Sequence, residues 1–214
     1  MEEKGLQPDV ISYSAIIKAW AKASDVSTAV SMLGAMEEKG LQPDVISYTA
    51  VIDSCAKASD VSRAVATLAA MEDKGLHPNA ISYNAVINGC AKEGDVSRAV
   101  ATLAAMEEQG LQPNVISYNA VIDSCAKAGD VSTAFSMLSA MEETGLQPTV
   151  ISYTAVISSC ARASDVSRAV STLAAMEEKG VQPDVISYTA AINACAKNGD
   201  VYRASMIFGA MEDA

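Results

Sequence analysis

The sequence predicts an all-α fold: a right-handed α-solenoid of stacked helix–turn–helix repeats, each 35 residues long. The run Met-Glu-Glu-Lys-Gly-Leu-Gln-Pro-Asp-Val-Ile-Ser-Tyr opens the chain and returns, with small changes, every 35 residues. Residues 36–70 match residues 106–140 at 26 of 35 positions. A fixed period of this size is typical of repeat arrays, in which each two-helix repeat hides its apolar face only by stacking on its neighbours.

Counted from Val10, the chain holds five complete repeats and a sixth that lacks its closing turn, and residues 1–214 together form a single predicted solenoid. The repeats, numbered 1 to 6, are residues 10–44, 45–79, 80–114, 115–149, 150–184 and 185–214. Residues 1–9 duplicate the end of a repeat. We therefore expect a piece of a longer array or a consensus-like designed array, although recent natural duplication would leave the same near-identity.

The first helix of repeat 2 is predicted over residues 46–58, because its apolar residues follow the alternating spacing of three and four that marks one buried helix face. These residues are Tyr48, Val51, Ile52 and Cys55. A break follows at residues 58–60, where Ser59 or Asp60 can accept hydrogen bonds from the free amides that open the next helix.

The second helix of repeat 2 is predicted over residues 61–74. Its buried side should carry Ala64, Val65, Leu68 and Met71. Gly75 is suited to a left-handed stop, and Pro78 prevents the helix from continuing.

The net charge of −11 by itself argues against a polyanionic partner. Fourteen of the 26 acidic residues, however, form the Glu-Glu or Glu-Asp pairs that follow each repeated Met. If these pairs lie on one edge, another surface can still be neutral or basic, so the total charge does not decide the partner.

No apolar run approaches the roughly 20 residues that a membrane-spanning helix needs.

Five cysteines recur 35 residues apart, at Cys55, Cys90, Cys125, Cys160 and Cys195. Equivalent positions on packed helices lie about 8–10 Å apart, farther than the roughly 7 Å that a disulfide allows between Cα atoms. We expect buried, reduced packing residues, with Trp20 in the same place in repeat 1. No Cys-x-x-Cys or nearby His supports zinc, and the only histidine, His77, is expected in an exposed turn. We therefore expect no enzyme activity and no cofactor.

Repeat 2 reads VISYTAVIDSCAKASDVSRAVATLAAMEDKGLHPN. With its Ser-Tyr opening, the Gly-x-x-Pro-Asp close of its neighbours and the period of 35, the chain resembles the pentatricopeptide repeat family over practically its whole length. The tetratricopeptide family is the near neighbour, but its period is about 34. Its Trp-x-x-Leu-Gly-x-x-Tyr pattern is absent from this sequence.

The resemblance implies binding of single-stranded RNA, one nucleotide per repeat, along the concave face that the first helices form. It also implies that the fifth and the last residue of each repeat choose the base. The fifth residues are Ser14, Thr49, Asn84, Asn119, Thr154 and Thr189. The last residues are Asp44, Asn79, Asn114, Thr149 and Asp184.

The repeats themselves point to the same two positions. The Ile-Ser-Tyr that precedes the fifth residue is unchanged in all six repeats, yet the fifth residue switches among Ser, Thr and Asn. The last residue switches among Asp, Asn and Thr. All of these side chains can match donors and acceptors on a base edge. They are also favoured helix caps and turn residues, and this alternative stays open.

The residue three before each fifth position is always isoleucine: Ile11, Ile46, Ile81, Ile116, Ile151 and Ile186. The spacing places the two on one helix face. The resemblance implies that these aliphatic side chains sandwich the bases, while the alternative is an ordinary core between repeats.

A cation lies eight residues beyond each fifth position: Lys22, Lys57, Lys92, Lys127, Arg162 and Lys197. Six such cations could follow a phosphate backbone with one charge per repeat. The alternative is a favourable placement of cations near the C-terminus of a helix.

The family's pairing preferences imply guanine for Ser14/Asp44 and Thr154/Asp184 and adenine for Thr49/Asn79. They imply pyrimidines (Y) for Asn84/Asn114 and Asn119/Thr149. With the N-terminus toward the RNA 5′ end, the expected site is 5′-G-A-Y-Y-G-3′.

The resemblance further implies a reducing compartment, the mitochondrion or chloroplast, and a role in RNA processing, stability or translation there. The competing prediction is a protein- or peptide-binding helical scaffold, which the acidic balance favours. Because the terminal repeats lack polar capping helices, end-to-end self-association is also expected.

Overall fold

The computed structural model describes residues 7–23 and 25–213. Its chain divides into two compact units, one ending at Gly89 and the other starting at Cys90. Most of the predicted tail of a preceding repeat, residues 1–9, lies outside the described residues. The described residues of the chain form helices and connecting turns, without any strand. None of the described helices is long and apolar enough to cross a membrane.

The first helices of the six repeats are α1 (Val10–Lys22), α3 (Val45–Lys57), α5 (Ala80–Glu93), α7 (Val115–Ala128), α9 (Val150–Ala163) and α11 (Val185–Lys197). The second helices are α2 (Val26–Glu38), α4 (Val61–Asp73), α6 (Val96–Glu108), α8 (Val131–Glu143), α10 (Val166–Glu178) and α12 (Val201–Glu212). Within each unit, a first helix packs on its own second helix and on the next first helix, as α9 does on α10 and α11. The all-α helical-repeat solenoid predicted from the sequence is confirmed.

Repeat 2 shows how closely the local signals placed its helices. The predicted bounds of both helices agree with α3 and α4 to within one residue. Asp60 caps α4, because its Oδ1 accepts the backbone amide of Arg63 at 3.0 Å, whereas Ser59 has a positive φ of 59°. Gly75 follows the C-terminus of α4 at a φ of 70°, the left-handed conformation that glycine adopts at low cost.

In repeats 2 to 5 the core contains the predicted apolar stripe of the first helix together with the repeated methionine of the second helix. Tyr48, Val51, Ile52 and Cys55 are all buried. The prediction was wrong for Val65, which is 38% exposed, because it lies at the edge of the buried stripe of α4. All five cysteines are buried and free, as predicted. Burial raises the pKa of their thiols, that of Cys55 to about 11, so they stay protonated at neutral pH.

Repeat 1 departs from the expected core at Trp20. The indole is 36% exposed, although the cysteines at the same repeat position are fully buried. Ile16 on the same helix is also exposed, while its counterpart Val51 is not. The reason is that α1 packs on α2 and α3, whereas α3 contacts α1 on one side and α5 on the other. Burial of Trp20 was therefore predicted wrongly.

Candidate functional site

Two pockets lie on the first helices, one in each compact unit. The N-terminal pocket has a volume of about 350 Å³, and the C-terminal pocket about 250 Å³. The N-terminal pocket is lined by Ile46, Thr49, Asn79, Ile81, Lys18 and Asp53. The C-terminal pocket is lined by Ile151, Thr154, Asp184, Ile186, Asp123 and Ser158. Each pocket thus brings together the fifth and last residues of one repeat with the isoleucines of that repeat and the next.

The six isoleucines predicted to sandwich bases are all exposed, with between 51% and 77% of their surface accessible. An aliphatic side chain in a core between repeats would be buried, as Ile52 and Ile157 are on the same helices. The core alternative is therefore wrong for these six positions. They present apolar surface at regular intervals on the first helices, and four of them line the two pockets.

The last residues of repeats 1, 2, 3 and 5 cap the first helix of the next repeat with a side-chain oxygen. Asp184 Oδ1 accepts the backbone amide of Ser187 at 2.8 Å, and Asp44 does the same for Ser47. Asn79 Oδ1 accepts two backbone amides, from Ile81 and Ser82, at 2.9 and 3.1 Å. The capping alternative therefore holds for these residues. A cap at the mouth of a pocket still leaves its remaining polar atoms available to a ligand.

Asn114 caps α7 through its own Oδ1, and Thr149 precedes α9 and donates its backbone N–H to Ser152 Oγ at 3.0 Å.

The fifth residues are not caps, because they lie inside the first helices. Instead, contacts with the serine of the next repeat are made by Ser14, Thr49, Asn119 and Thr154. Thr154 Oγ1 lies 2.7 Å from Ser187 Oγ, and Thr49 Oγ1 lies 2.7 Å from Ser82 Oγ. Ser14 Oγ makes the same contact with the serine of repeat 2 at 2.8 Å. Asn84 is half-buried and Thr189 is exposed.

The fifth and last residues of one repeat meet through a shared serine. Ser187 Oγ donates to Asp184 Oδ1 at 2.8 Å while it contacts Thr154 Oγ1. The hydrogen bonds from the backbone and side chain of Ser187 lower the pKa of Asp184, against a smaller effect of burial. Asp184 is therefore a carboxylate at neutral pH, and all of its side-chain oxygens act as acceptors.

The six predicted phosphate-contacting cations, Lys22, Lys57, Lys92, Lys127, Arg162 and Lys197, are all exposed. Lys57 Nζ lies 2.6 Å from Asp53 Oδ2, and Asp53 lines the N-terminal pocket. Lys127 Nζ and Lys197 Nζ donate to backbone carbonyls of the preceding first helix, at Lys92 and Ala161. These bonds to backbone carbonyls are the helix C-terminal role that the sequence left open. They keep Lys127 and Lys197 at the exposed ends of the first helices.

The acidic pairs lie at the C-terminal ends of the second helices, where Glu72 Oε1 accepts the hydroxyl of Tyr83 at 2.7 Å. Glu37 is contacted by Lys74 of the following repeat, and Glu142 by Lys179. Among the described residues, none of these paired acids lines either pocket. Much of the negative charge is thus placed away from the two pockets and is partly compensated by lysines.

Sequence reasoning made no prediction for two sets of residues, one in the pockets and one buried beside them. The first is the ninth residue of a repeat, which is Lys18 or Asp53 in the N-terminal pocket and Asp123 or Ser158 in the C-terminal pocket. It varies in charge and lies four residues after the fifth, which was a readable signal. The other set consists of the serines at the third position of each repeat. Because this serine never varies, nothing in the sequence indicated that it contacts the preceding repeat.

These features define the class of protein: an α-solenoid whose first helices carry pockets, each lined by two polar positions that vary between repeats and by exposed isoleucines. The model of the pentacotripeptide-repeat region of PRORP matches residues 46–213, and a model of the PPR repeat family matches residues 8–57. The chain belongs to the pentatricopeptide repeat family. No curated protein sequence matches it.

Solved structures agree with this assignment. The pentatricopeptide repeat protein PPR10 in complex with an 18-nt psaJ RNA element is 26% identical with a TM-score of 0.69, over 99% of this chain and 29% of that chain. PPR10 from maize is 25% identical with a TM-score of 0.64, over 100% of this chain and 36% of that chain. The chain therefore spans about a third of the length of PPR10.

The PPR domain of Arabidopsis thaliana protein-only RNase P 1 in complex with tRNA has a similar fold, with a TM-score of 0.64 and 21% identity. That match covers 76% of this chain and 86% of the domain.

Proposed function

We propose that this protein binds single-stranded RNA with one nucleotide per repeat and prefers the site 5′-G-A-Y-Y-G-3′. The observation that carries the proposal is the composition of the two pockets, each of which combines a fifth residue, a last residue and two successive exposed isoleucines. A flat base needs apolar contact on its faces and matched polar groups on its edge. Both pockets offer that combination, and the similar PPR10 structure contains RNA.

The C-terminal pocket suits guanine. Ser187 gives its single hydroxyl proton to Asp184, so it accepts the proton of Thr154, and Thr154 Oγ1 turns its lone pairs toward the pocket. Thr154 and Asp184 then both act as acceptors. The Watson–Crick edge of guanine has two adjacent donors, N1–H and N2–H, which match this pair, whereas the adenine edge offers one donor and one acceptor.

The N-terminal pocket suits adenine. Asn79 Oδ1 is occupied by two backbone amides, so its Nδ2 group is the part of the amide that can meet a ligand, as a donor. Thr49 Oγ1 can accept. A donor beside an acceptor matches adenine, which presents N1 as an acceptor and N6–H as a donor.

The fifth residue of repeat 4 suits a pyrimidine. Asn119 Oδ1 accepts the hydroxyl of Ser152 at 2.6 Å, which leaves its Nδ2 group as a donor. Carbonyl oxygens on the edges of uracil and cytosine can accept from such a group. Because both pyrimidines offer one, limited discrimination between them is expected. For repeat 3, the assignment of a pyrimidine rests on the family resemblance alone.

The proposal is tested by titrating the protein into labelled RNAs that contain GACUG or GAUCG, with a scrambled RNA of the same composition, at two salt concentrations. We expect tighter binding of the matched RNAs, and weaker binding of all three RNAs at the higher salt concentration because cations contact phosphates. Equal affinity for matched and scrambled RNA, or an affinity that salt does not change, would refute it.

Binding of peptides without RNA binding would support the helical scaffold instead, which the net charge of −11 favours. A role in organellar RNA processing, stability or translation is part of the same proposal.

End-to-end self-association belongs to the proposal as well. Val201 and Phe208 on α12 are 72% and 51% exposed, while their counterparts Val166 and Leu173 on α10 are buried beneath the following repeat. This face therefore fits the first helix of a second copy, whose α1 exposes Ile16 and Trp20. Sedimentation should detect dimers that Phe208→Glu removes. A monomer at all concentrations would contradict it.

A further inference from the structure

The third residue of each repeat is serine without exception, yet its burial is not uniform. Ser47, Ser82, Ser117, Ser152 and Ser187 are completely buried, whereas Ser12 of repeat 1 is exposed. Ser12 and Ser187 have the same local role, because each donates its amide and hydroxyl to the preceding aspartate at 2.7–2.8 Å. The difference is that Ser187 also contacts a fifth residue 33 positions earlier. Helix capping alone would not require that second contact.

The serine hydroxyl contacts both residues of a base-reading pair. Whether it donates to one of them decides whether it must accept from the other. A hydroxyl has one proton and two lone pairs. Where the last residue is a carboxylate that accepts only, Ser187 donates to Asp184 and must accept from Thr154. Thr154 has no other proton, so its Oγ1 can only accept from a base.

The direction is reversed in repeat 4, where the partners differ. Ser152 Oγ donates to Asn119 Oδ1 at 2.6 Å and accepts the backbone amide of Thr149 at 3.0 Å. The amide of Asn119 is thereby held with Nδ2 outward, as a donor. The same serine position therefore leaves the fifth residue an acceptor in repeat 5 and a donor in repeat 4.

We propose that the buried third-position serine is a positioning residue that sets whether the preceding repeat's fifth residue donates to a base or accepts from it. The inference rests on the proposed RNA binding and extends it from a two-residue to a three-residue recognition unit. The serine itself touches the pair and not the base. It therefore acts on base preference and leaves the stacking and phosphate contacts of the repeat in place.

The test is Ser187→Ala in the full chain, with Ser12→Ala as the matched control. Affinities are measured for RNAs that carry G or A opposite repeat 5, and the readout is the ratio of the two affinities. We expect Ser187→Ala to lower the preference for G about fivefold, the factor that one neutral hydrogen bond contributes. Thr154 becomes free to donate once the hydroxyl is gone. The backbone amide at position 187 still caps α11, so the helix should persist. Ser12→Ala should leave the ratio unchanged.

The ratio separates this inference from a structural effect and from the proposed function. A general loss of stability lowers both affinities together and leaves their ratio alone. If the unaltered protein prefers G at this position and Ser187→Ala keeps the full preference, the inference is wrong while the proposed function stands. If the unaltered protein shows no preference for G, both fail. Should Ser187→Ala not fold, Ser47→Ala tests the same serine position in repeat 1, where Ser47 contacts Asp44 at 2.6 Å and Ser14 at 2.8 Å. The preference for G should fall less than fivefold there, because Ser14 Oγ can also donate to the carbonyl of Val10 at 2.8 Å. An unchanged preference for G would contradict the inference.

Discussion

The N-terminal and C-terminal pockets share one framework and differ in a few polar atoms. Both contain two exposed isoleucines and a threonine as the fifth residue. The last residue is Asn79 in one and Asp184 in the other. Both residues cap the following helix with the same oxygen, Oδ1. The difference that remains for a ligand is an amide group in one pocket and a carboxylate oxygen in the other.

This comparison teaches that capping and base reading can occupy one side chain. The cap needs a single acceptor oxygen, which Asn and Asp both supply. The second polar atom of the side chain can vary without disturbing the helix. Under the proposed RNA binding, a repeat could therefore change its preferred base while the fold is kept.

The largest effect should come from exchanging the two last residues. Asp184→Asn should convert the C-terminal pocket from guanine to adenine preference, and Asn79→Asp should do the reverse. Each exchange turns a matched donor–acceptor pair into a mismatched one. With about 1–3 kcal/mol of discrimination for each well-matched base, the G-to-A affinity ratio should change about 100-fold, measured by competition binding.

The matched control for this exchange is Asp9→Asn, which makes the same chemical change at the cap of α1, where Asp9 accepts the amide of Ser12. It should leave base preference at repeats 2 and 5 as it was. Unaltered preference after Asp184→Asn would show that the last residue acts only as a cap.

The next largest effect should follow removal of the apolar walls. Replacing Ile151 and Ile186 by alanine should weaken binding of every RNA about tenfold, because base stacking contributes about 1–3 kcal/mol per base. The thermal midpoint should stay nearly constant, since these side chains are 68% and 65% exposed.

The buried Ile157 on α9 provides the contrasting control. Ile157→Ala should cost about 2–5 kcal/mol of folding stability, as deletions in a core do, measured by urea unfolding. A double variant at Ile151 and Ile186 that loses comparable stability would assign these residues to the core.

A smaller effect should come from the ninth residue. Asp53 pairs with Lys57 at 2.6 Å in the N-terminal pocket, whereas the C-terminal pocket has Ser158 at this position. Asp53→Asn should remove this ion pair and one negative charge from the lining of the pocket. It should therefore raise RNA affinity about two- to threefold and steepen the salt dependence by about one counterion. Ser158→Asp should place a carboxylate near Arg162, and should therefore lower RNA affinity and make its salt dependence less steep. Equal salt slopes in all three proteins would exclude this role.

The smallest effect should be a pH dependence confined to the carboxylate. The pKa of Asp184 is lower in the folded chain than its ordinary value, so its cap stabilises the fold fully above about pH 3.9 and loses this contribution as the pH falls below it. The difference in thermal midpoint between the protein and its Asp184→Asn variant should therefore be constant above about pH 5 and change below about pH 4. A difference that already changes near neutral pH would contradict the lowered pKa.

Much of the fold could be predicted from local signals. The position of α3 followed from the spacing of Tyr48, Val51, Ile52 and Cys55, and Gly75 marked the end of α4. Both signals are local, because helix periodicity and backbone preference act over a few residues. Val65 and Trp20 were predicted wrongly. Their exposure depends on which neighbour covers a helix, and a pattern within one repeat does not contain that information.

The sequence by itself determined the period, the helices, the two variable polar positions and the six isoleucines. Only the tertiary structure decided that the isoleucines are exposed, that the last residues are caps, and that Thr154 and Asp184 meet through Ser187. The physical reason is distance along the chain. The decisive hydrogen bond joins residues 33 positions apart, and such a contact exists only after one repeat has stacked on the next.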